Sequence, residues 1–293
     1  MRILVAIVHF FGGTDPRHGS TDDRRRAART RVVNEVVQAY RGLFGRPATL
    51  DIASRTFQRE PGGGDHVDIA VVTVPGHCLL DQTACNAHGA TVVEVRPEDP
   101  RMLGFHVHEL FAQLRSEYDL FVFTEDDLRP TDPDLFAKIG WFNAGHGGAR
   151  LLFPNRFEWN TNGPAIKTYI DGDLRPGFID PVLKVVADCD TIEDQVLGRT
   201  RVFRRARNPH SGFFAVTQAQ LGHWMRQPHW LDRDVSFVSP LESAATLGAV
   251  KTFAIYKPFG RSAAFLELQH MENRFSGLDL PMRSDGLGAA LPA

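Results

Sequence analysis

Three consecutive carboxylates, Glu125-Asp126-Asp127, are the residues of this chain best suited to do chemistry. They follow the run Asp119-Leu120-Phe121-Val122-Phe123-Thr124, which reads as a buried strand. The cluster therefore falls at a carboxyl edge, where open α/β sheets bind ligands. Anions packed there cost free energy unless a cation or hydrogen-bond donors compensate. Hard divalent ions such as Mg²⁺ and Mn²⁺ take oxygen ligands and are shared between one or two carboxylates and substrate phosphates. Taken alone, the triplet also fits a solvated acidic loop or capping charges before Pro133. Its place behind Phe121-Val122-Phe123 is what favours a ligand.

Other chemistry-bearing residues are scattered. Glu242 opens the helix predicted over 241–247, where the helix dipole is by itself sufficient reason for a carboxylate. Asp232 and Asp234 lie shortly before it. His270 follows the last strand-like region. His106 and His108, two apart on a predicted helix, point to different faces and make no metal pair. Arg201, Arg204, Arg205 and Arg207 form a basic run, read first as a solvated face and alternatively as a site for diphosphate or an anionic acceptor. Phosphate-binding loop, nucleophile elbow, His-Glu-x-x-His and dinucleotide fingerprint are all missing from the sequence.

The elements that must position these groups follow from periodicity. Ile3–Val8 is a continuous, β-branched apolar run, suited to a strand buried on both faces. Gly12-Gly13 ends it, and the polar stretch to Asp23 reads as a loop. Val32, Val33, Val36, Val37, Tyr40 and Leu43 recur at helical spacing, with Asp22 and Asp23 at the start and Gly45 and Pro47 as stops. Residues 60–65 read as a loop, and 67–74 and 91–95 as strands. A helix over 102–114 leads into the strand before the triplet, and 133–142 reads as the helix after it. Alternating strands and helices predict an α/β fold with a mainly parallel central sheet flanked by helices. Later strands are expected at 151–155, 165–170, 212–217 and 252–257, with helices at 218–225 and 241–247. One domain over 1–275 is the economical reading, with a tail from Ser276.

The 293 residues carry 33 Lys+Arg against 35 Asp+Glu, a net charge of −2, with 43% hydrophobic residues. That composition excludes a mainly disordered chain and argues against a general nucleic-acid or membrane-surface binder, which needs a cationic excess. Only five of the basic residues are lysines; a genome biased towards arginine codons is the first reading, and the second is that arginine's planar fork suits phosphate and carboxylate ligands. Cys78, Cys85 and Cys189 have no C-x-x-C spacing, so neither a disulfide framework nor a zinc site is expected. The apolar start is short and lacks a small-residue cleavage site, and no stretch approaches the ~18 apolar residues of a membrane span. The expected address is the cytoplasm.

The run Tyr118–Leu128, with its Glu-Asp-Asp-Leu segment, resembles the metal-binding motif of nucleotide-sugar glycosyltransferases with the Rossmann-like GT-A fold, and especially that of inverting N-acetylglucosaminyltransferases. The segment His210–Leu221 is similar to the strand–helix segment lining the acceptor side of such enzymes. The resemblance implies a nucleotide-binding half over 1–130 and an irregular acceptor half over 131–275. It implies that Asp127 binds Mn²⁺ or Mg²⁺ between two phosphates and that Glu125 and Asp126 contact the ribose or sugar. His9, Phe10 and Phe11 would lie near the base and ribose, His270 would be a late metal ligand, and Glu242 would be the base. The implied donor is a UDP-sugar and the acceptor a hydroxyl on a glycan, lipid-linked or small molecule. A metal-dependent phosphate hydrolase or nucleotidyltransferase, or a non-catalytic nucleotide-sugar binder, uses the same features differently. Phosphate or sugar-1-phosphate release separates the first alternative, and binding without turnover the second.

Overall fold

The apolar start of the chain becomes β1 (Arg2–Val8), and the residues along it alternate between two cores. The computed structural model describes residues 1–12, 22–59, 65–160 and 165–278. The expected loops at 13–21 and 60–64 and the tail from 279 lie outside the described residues. Asp22 accepts the Arg24 N–H and caps a short 3-10 turn, after which α1 (Arg26–Phe44) runs to Gly45. A hairpin follows, β2 (Ala48–Asp51) and β3 (Thr56–Arg59). Next come β4 (His66–Thr73), α2 (Gln82–His88), β5 (Ala90–Glu94), α3 (Leu103–Gln113) and β6 (Leu120–Glu125). The second half continues with β7 (Leu128–Pro130), α4 (Leu135–His146), β8 (Arg150–Leu152), β9 (Asn155–Trp159), β10 (Lys167–Tyr169) and α5 (Pro176–Leu183). It ends with β11 (Thr191–Val196), β12 (Arg199–Arg205), β13 (Phe213–Thr217), α6 (Gln218–Trp224), α7 (Pro240–Ala244), α8 (Leu247–Thr252), β14 (Ala254–Pro258) and β15 (Glu267–His270).

The central sheet has the order β13-β6-β1-β4-β5, with β13 antiparallel and the other four strands parallel. This is an α/β fold with a mainly parallel central sheet. Ile3, Val5 and Ile7 pack in one layer with Val33, Val36, Val37 and Tyr40 of α1. Leu4, Ala6 and Val8 pack in the other with Val107 and Phe111 of α3. That alternation is the pleat of a strand covered on both faces. Two smaller sheets, β10-β9-β15-β7 and β11-β12-β14-β8, make up the irregular half. Among the described residues, no helix is long and apolar enough to cross a membrane.

The chain steps outward from β1 to β4 and β5 and then returns to β6 on the other side of β1. The crevice between β1 and β6 is therefore a topological switch point, the usual ligand position in such sheets. Val8 is in register with both Val72 and Glu125, so His9 and the acidic triplet leave the sheet together at its carboxyl edge.

Several expected boundaries move. The strand expected at 151–155 divides because Pro154 has no N–H for a ladder. Phe153 still donates to Tyr256, whereas Asn155 donates to Leu266 and enters the other small sheet. Thr252 belongs to α8, where its hydroxyl donates to the Gly248 carbonyl, and the strand begins at Ala254. The helix expected over 241–247 stops at Ala244, and α8 starts afresh at Leu247. Arg201, Arg204 and Arg205 of the arginine run lie on β12, with exposed Arg207 just beyond it, rather than on a uniformly solvated face. Arg205 is buried on the carbonyls of Leu183 and Val186, while Arg204 pairs with Asp173 and lies over the Phe259 ring. Ser276, expected in the tail, is buried and donates its N–H to Glu158.

Candidate active site

The acidic triplet separates into three environments. Asp126 is anchored: its Oδ2 accepts from His9 Nδ1 at 2.5 Å and its Oδ1 from Arg29 Nη2 at 2.5 Å. His9 is fully buried, and its Nε2 accepts the Leu79 N–H at 2.9 Å, which leaves the ring proton on Nδ1 for Asp126. Burial alone would raise the Asp126 pKa, but Arg29 and the His9 hydrogen bond outweigh it and bring the carboxyl down to about 2. Asp127 is open. Its Oδ1 is buried without a hydrogen-bond partner among the described residues, and its Oδ2 lies 3.5 Å from Arg29 Nη1 and 3.7 Å from His270 Nε2. Glu125 is pushed towards its protonated form. Burial and the neighbouring Asp127 charge outweigh Arg156 and push it up to about 8, and Glu242 adds to the shift.

His270 arrives from the far end of the sequence because β15 pairs with β7, placing His270 opposite Leu128, and Met271 donates to the Asp127 carbonyl. Its Nδ1 sits 2.8 Å from buried Glu158 Oε1 and 2.7 Å from the Glu272 carbonyl, so the Nδ1 proton is held and Nε2 is left facing Asp127. This is the carboxylate–histidine arrangement that fixes the tautomer of a metal-binding imidazole. Among the described residues no three His, Cys, Asp or Glu side chains already converge as a metal cluster. A two-residue donor set suits an ion whose other positions go to water and substrate phosphates. The open Asp127 oxygen and the free Nε2 therefore fit a divalent ion.

Glu242 reaches the site through helix packing. An added Cβ on Gly104 of α3 would lie 2.8 Å from Ala244 Cβ and 3.3 Å from Leu241 Cδ1, so glycine is what lets α7 lie this close. His108 of α3, buried among aromatic rings, donates to the Ala244 carbonyl at 3.1 Å and fastens the two helices. Glu242 Oε2 is buried without a hydrogen-bond partner among the described residues, and its charge is felt by Glu125. Asp232 and Asp234, by contrast, are both engaged by Lys251 at 2.7 and 2.8 Å. Gly212, with φ at +58°, gives Glu125 its space: a Cβ there would sit 2.5 Å from Glu125 Oε2.

Behind the carboxylates lies a buried ionic frame. Asp171 binds Arg156 at 2.8 Å and Lys257 at 2.9 Å, and Lys257 also donates to the His210 carbonyl at 2.7 Å. Burial opposes ionisation of Asp171, but its two cations hold it well below the carboxylate range. His210, bonded to Thr246 Oγ1, stays neutral because burial and then Arg156 depress its pKa. Its Nε2 lies 3.9 Å from Glu125.

The three residues expected near the base and ribose are placed unequally. His9 has protein partners on both ring nitrogens, Asp126 at Nδ1 and the Leu79 N–H at Nε2. Phe11 is buried beneath the Arg26 guanidinium at 4.7 Å. Phe10 is half-buried and stacks on His77 with ring centroids 4.5 Å apart. The contacts expected from Asp126 to the ribose or sugar compete with two protein partners. None of the basic run meets the carboxylates of the triplet among the described residues.

Sequence reasoning missed Arg29, Arg156, Glu158 and Asp171. Arg29 had a signal: it precedes Val33, Val36 and Tyr40 at helical spacing and so belongs to the apolar face of α1, unlike Arg24, Arg25 and Arg31. Asp171 had none, since its partners come from β9 and β14.

No family model matches the chain, and no curated protein matches it. Among solved structures it is similar to a mycobacterial protein at 13% identity and TM-score 0.41, covering 87% of this chain and 64% of that one. A second is glucosyl-3-phosphoglycerate synthase from Mycobacterium tuberculosis in complex with Mn²⁺, UDP-glucose and phosphoglyceric acid. It has 13% identity and TM-score 0.36, over 74% of this chain and 56% of that one. A third is mannose-1-phosphate geranyltransferase from Thermus thermophilus, with 10% identity and TM-score 0.39 over 88% of this chain and 73% of that one. The chain thus spans less than two thirds of the first two proteins. At these scores the similarity is one of chain course alone, and the functional reading rests on the site's own geometry.

Proposed function

We propose that this protein is a metal-dependent glycosyltransferase of GT-A type, with residues 1–275 forming one catalytic unit acting in the cytoplasm. It moves a hexosyl or N-acetylhexosaminyl group, with inversion, from a UDP-sugar to a hydroxyl acceptor. The observation that carries the reading is the pairing of Asp127, with its unpartnered Oδ1, and His270, with its free Nε2, at the switch point of the sheet.

Asp127 and His270 are the residues that would hold Mn²⁺ or Mg²⁺. The chemistry such an ion supplies when bound is neutralisation of the charge that develops on the departing diphosphate. Asp126, clamped by His9 and Arg29, fixes the backbone from which Asp127 projects. Glu125, next to Asp127, hydrogen-bonds a sugar hydroxyl. Glu242 takes the proton of the acceptor hydroxyl on Oε2, as an inverting transfer requires. Phe10 and His77 supply ring surface for the base.

The test is thermal stability with UDP, with Mn²⁺, and with both. UDP is expected to raise the melting temperature only when Mn²⁺ is present, and Asp127→Asn to abolish the shift. An equal shift in Asp127→Asn overturns the reading. Product analysis with UDP-sugars completes it: UDP release supports transfer, whereas inorganic phosphate or sugar-1-phosphate assigns the site to a hydrolase or nucleotidyltransferase.

A further inference from the structure

The hairpin β2–β3 stands at the end of the sheet opposite the candidate active site, between the C-terminus of α1 and His66 at the start of β4. Its register pairs Ala48 with Arg59, Thr49 with Gln58, Leu50 with Phe57 and Asp51 with Thr56. Alternation therefore puts Ala48, Leu50, Phe57 and Arg59 on one face and Thr49, Asp51, Thr56 and Gln58 on the other. The polar face is internally bonded, with Gln58 Nε2 donating to Asp51 Oδ2 at 3.3 Å. The apolar face is bare: Leu50 is 51% exposed, Phe57 77%, and Ile52 at the turn 81%. An amphipathic hairpin normally covers such a face against a core, and a lone two-stranded hairpin gains little stability from itself. Single exposed apolar residues need no explanation, but three on one small hairpin do.

The surroundings say what the face meets. Arg46, Arg55 and Arg59 flank it, and none makes an ion pair among the described residues. The same face continues, through Ala48 and Arg59, into a cleft of about 670 Å³ also lined by Arg41, Arg46 and His66. The acidic group there, Asp65, is engaged by the amino terminus at 3.2 Å. A protein of net charge −2 thus gathers arginines around a cluster of exposed apolar residues. A second copy fits poorly, because apposed hairpins would bring arginines together. Two four-residue strands also offer far less than the roughly 800 Å² per partner of a stable dimer. An anionic lipid surface fits on both counts: Leu, Ile and Phe enter the acyl boundary while arginine forks bind headgroup phosphates.

We propose that the β2–β3 hairpin and the adjoining arginine cleft dock this protein on anionic phospholipid membranes. The test is flotation of the full chain with phosphatidylcholine vesicles, with and without phosphatidylglycerol. Binding is expected only with phosphatidylglycerol and weakens as salt rises. It falls about tenfold or more in the triple variant Leu50→Ser/Ile52→Ser/Phe57→Ser. Because the hairpin faces are exposed, the melting temperature of that variant should match the parent. Arg55→Glu/Arg59→Glu provides a second variant that leaves the apolar residues in place and is also expected to lose binding. Failure to float with phosphatidylglycerol, or equal flotation of the triple variant, overturns the proposal. So does a dimer, seen by light scattering, that the triple variant dissociates, because the occupant is then a second copy.

Discussion

Asp126 and Asp127 are adjacent in sequence and opposite in situation, and the contrast extends across the whole carboxyl edge. On one side stand carboxylates with both oxygens engaged: Asp126 by His9 and Arg29, Asp171 by Arg156 and Lys257. On the other stand Asp127 and Glu242, each with a buried oxygen that has no partner among the described residues. A buried carboxylate without a partner costs stability, and a fold retains one where a ligand or a proton completes it. Under the proposed function, the engaged group is frame and the open group is for chemistry. That division predicts opposite outcomes for substitutions only a few ångströms apart.

The largest expected effect is on the frame. Asp171→Ala leaves Arg156 and Lys257 buried, close together and without their shared anion, which should cost about 3–5 kcal/mol of stability in urea unfolding. Less than about 1 kcal/mol would show that water enters the network and that it is no frame. Next is Arg29→Met, which strands Asp126 and Asp127 beside each other and is expected to lose about 2–4 kcal/mol. Arg29→Lys keeps the charge but not the fork that reaches Asp126, Asp127 and Glu272, so it should fall between Met and the parent. Equal losses in the two variants would mean that charge contributes nothing there.

A smaller effect is expected from pH. Glu125 is raised to about 8 in the folded protein, against a carboxylate value near 4.5 in the unfolded chain. Between those values the folded state binds the extra proton, so the metal-free stability that Glu125 contributes should fall as pH rises from about 5 to 8, by roughly 1–3 kcal/mol, against an opposite rise up to about pH 6.5 from buried, neutral His108 and His210. Glu125→Gln should flatten that slope. Asp126 has the opposite sign: its carboxyl is lowered to about 2, so the stability it contributes is complete above about pH 4 and is lost as pH falls towards 2. A Glu125→Gln profile with the same slope as the parent's between pH 5 and 8 would place Glu125 with the ionised, solvated carboxylates and move it out of the site.

The parallel sheet was legible because its central strands β1 and β6 bury both faces, and a run such as Ile3–Val8 then has no other reading. Asp127, His270 and Glu242 were found by type and place, but their convergence was not visible. His270 reaches Asp127 only through the pairing of β15 with β7, and three-residue β7 is too short to leave a periodic signal. The ionic frame was hidden for the same reason, its members lying on β9, on β14 and just beyond β10. Arg29 is the exception, since its spacing to Val33 and Val36 marks an inward-facing arginine. The β2–β3 hairpin does carry strict alternation, but over four residues per strand that pattern is short enough to be passed over.

The smallest stability changes belong to the open side and are the sharpest test of the division. Asp127→Asn and Glu242→Gln keep side-chain volume and remove a charge with no committed partner on one oxygen. Each should change unfolding free energy by less than about 1 kcal/mol, because ending the cost of a charged, buried oxygen without a partner offsets part of any loss. Function should divide them further. Asp127→Asn should lose the Mn²⁺-dependent stabilisation by UDP. Glu242→Gln should keep that stabilisation while sugar transfer falls about 10²–10⁴-fold, the usual contribution of a general base. If Glu242→Gln transfers normally, its carboxylate serves the start of α7 and the proton acceptor lies elsewhere. If Asp127→Asn unfolds as readily as Asp171→Ala, the open oxygen is part of the frame after all, and the contrast between the two sides collapses.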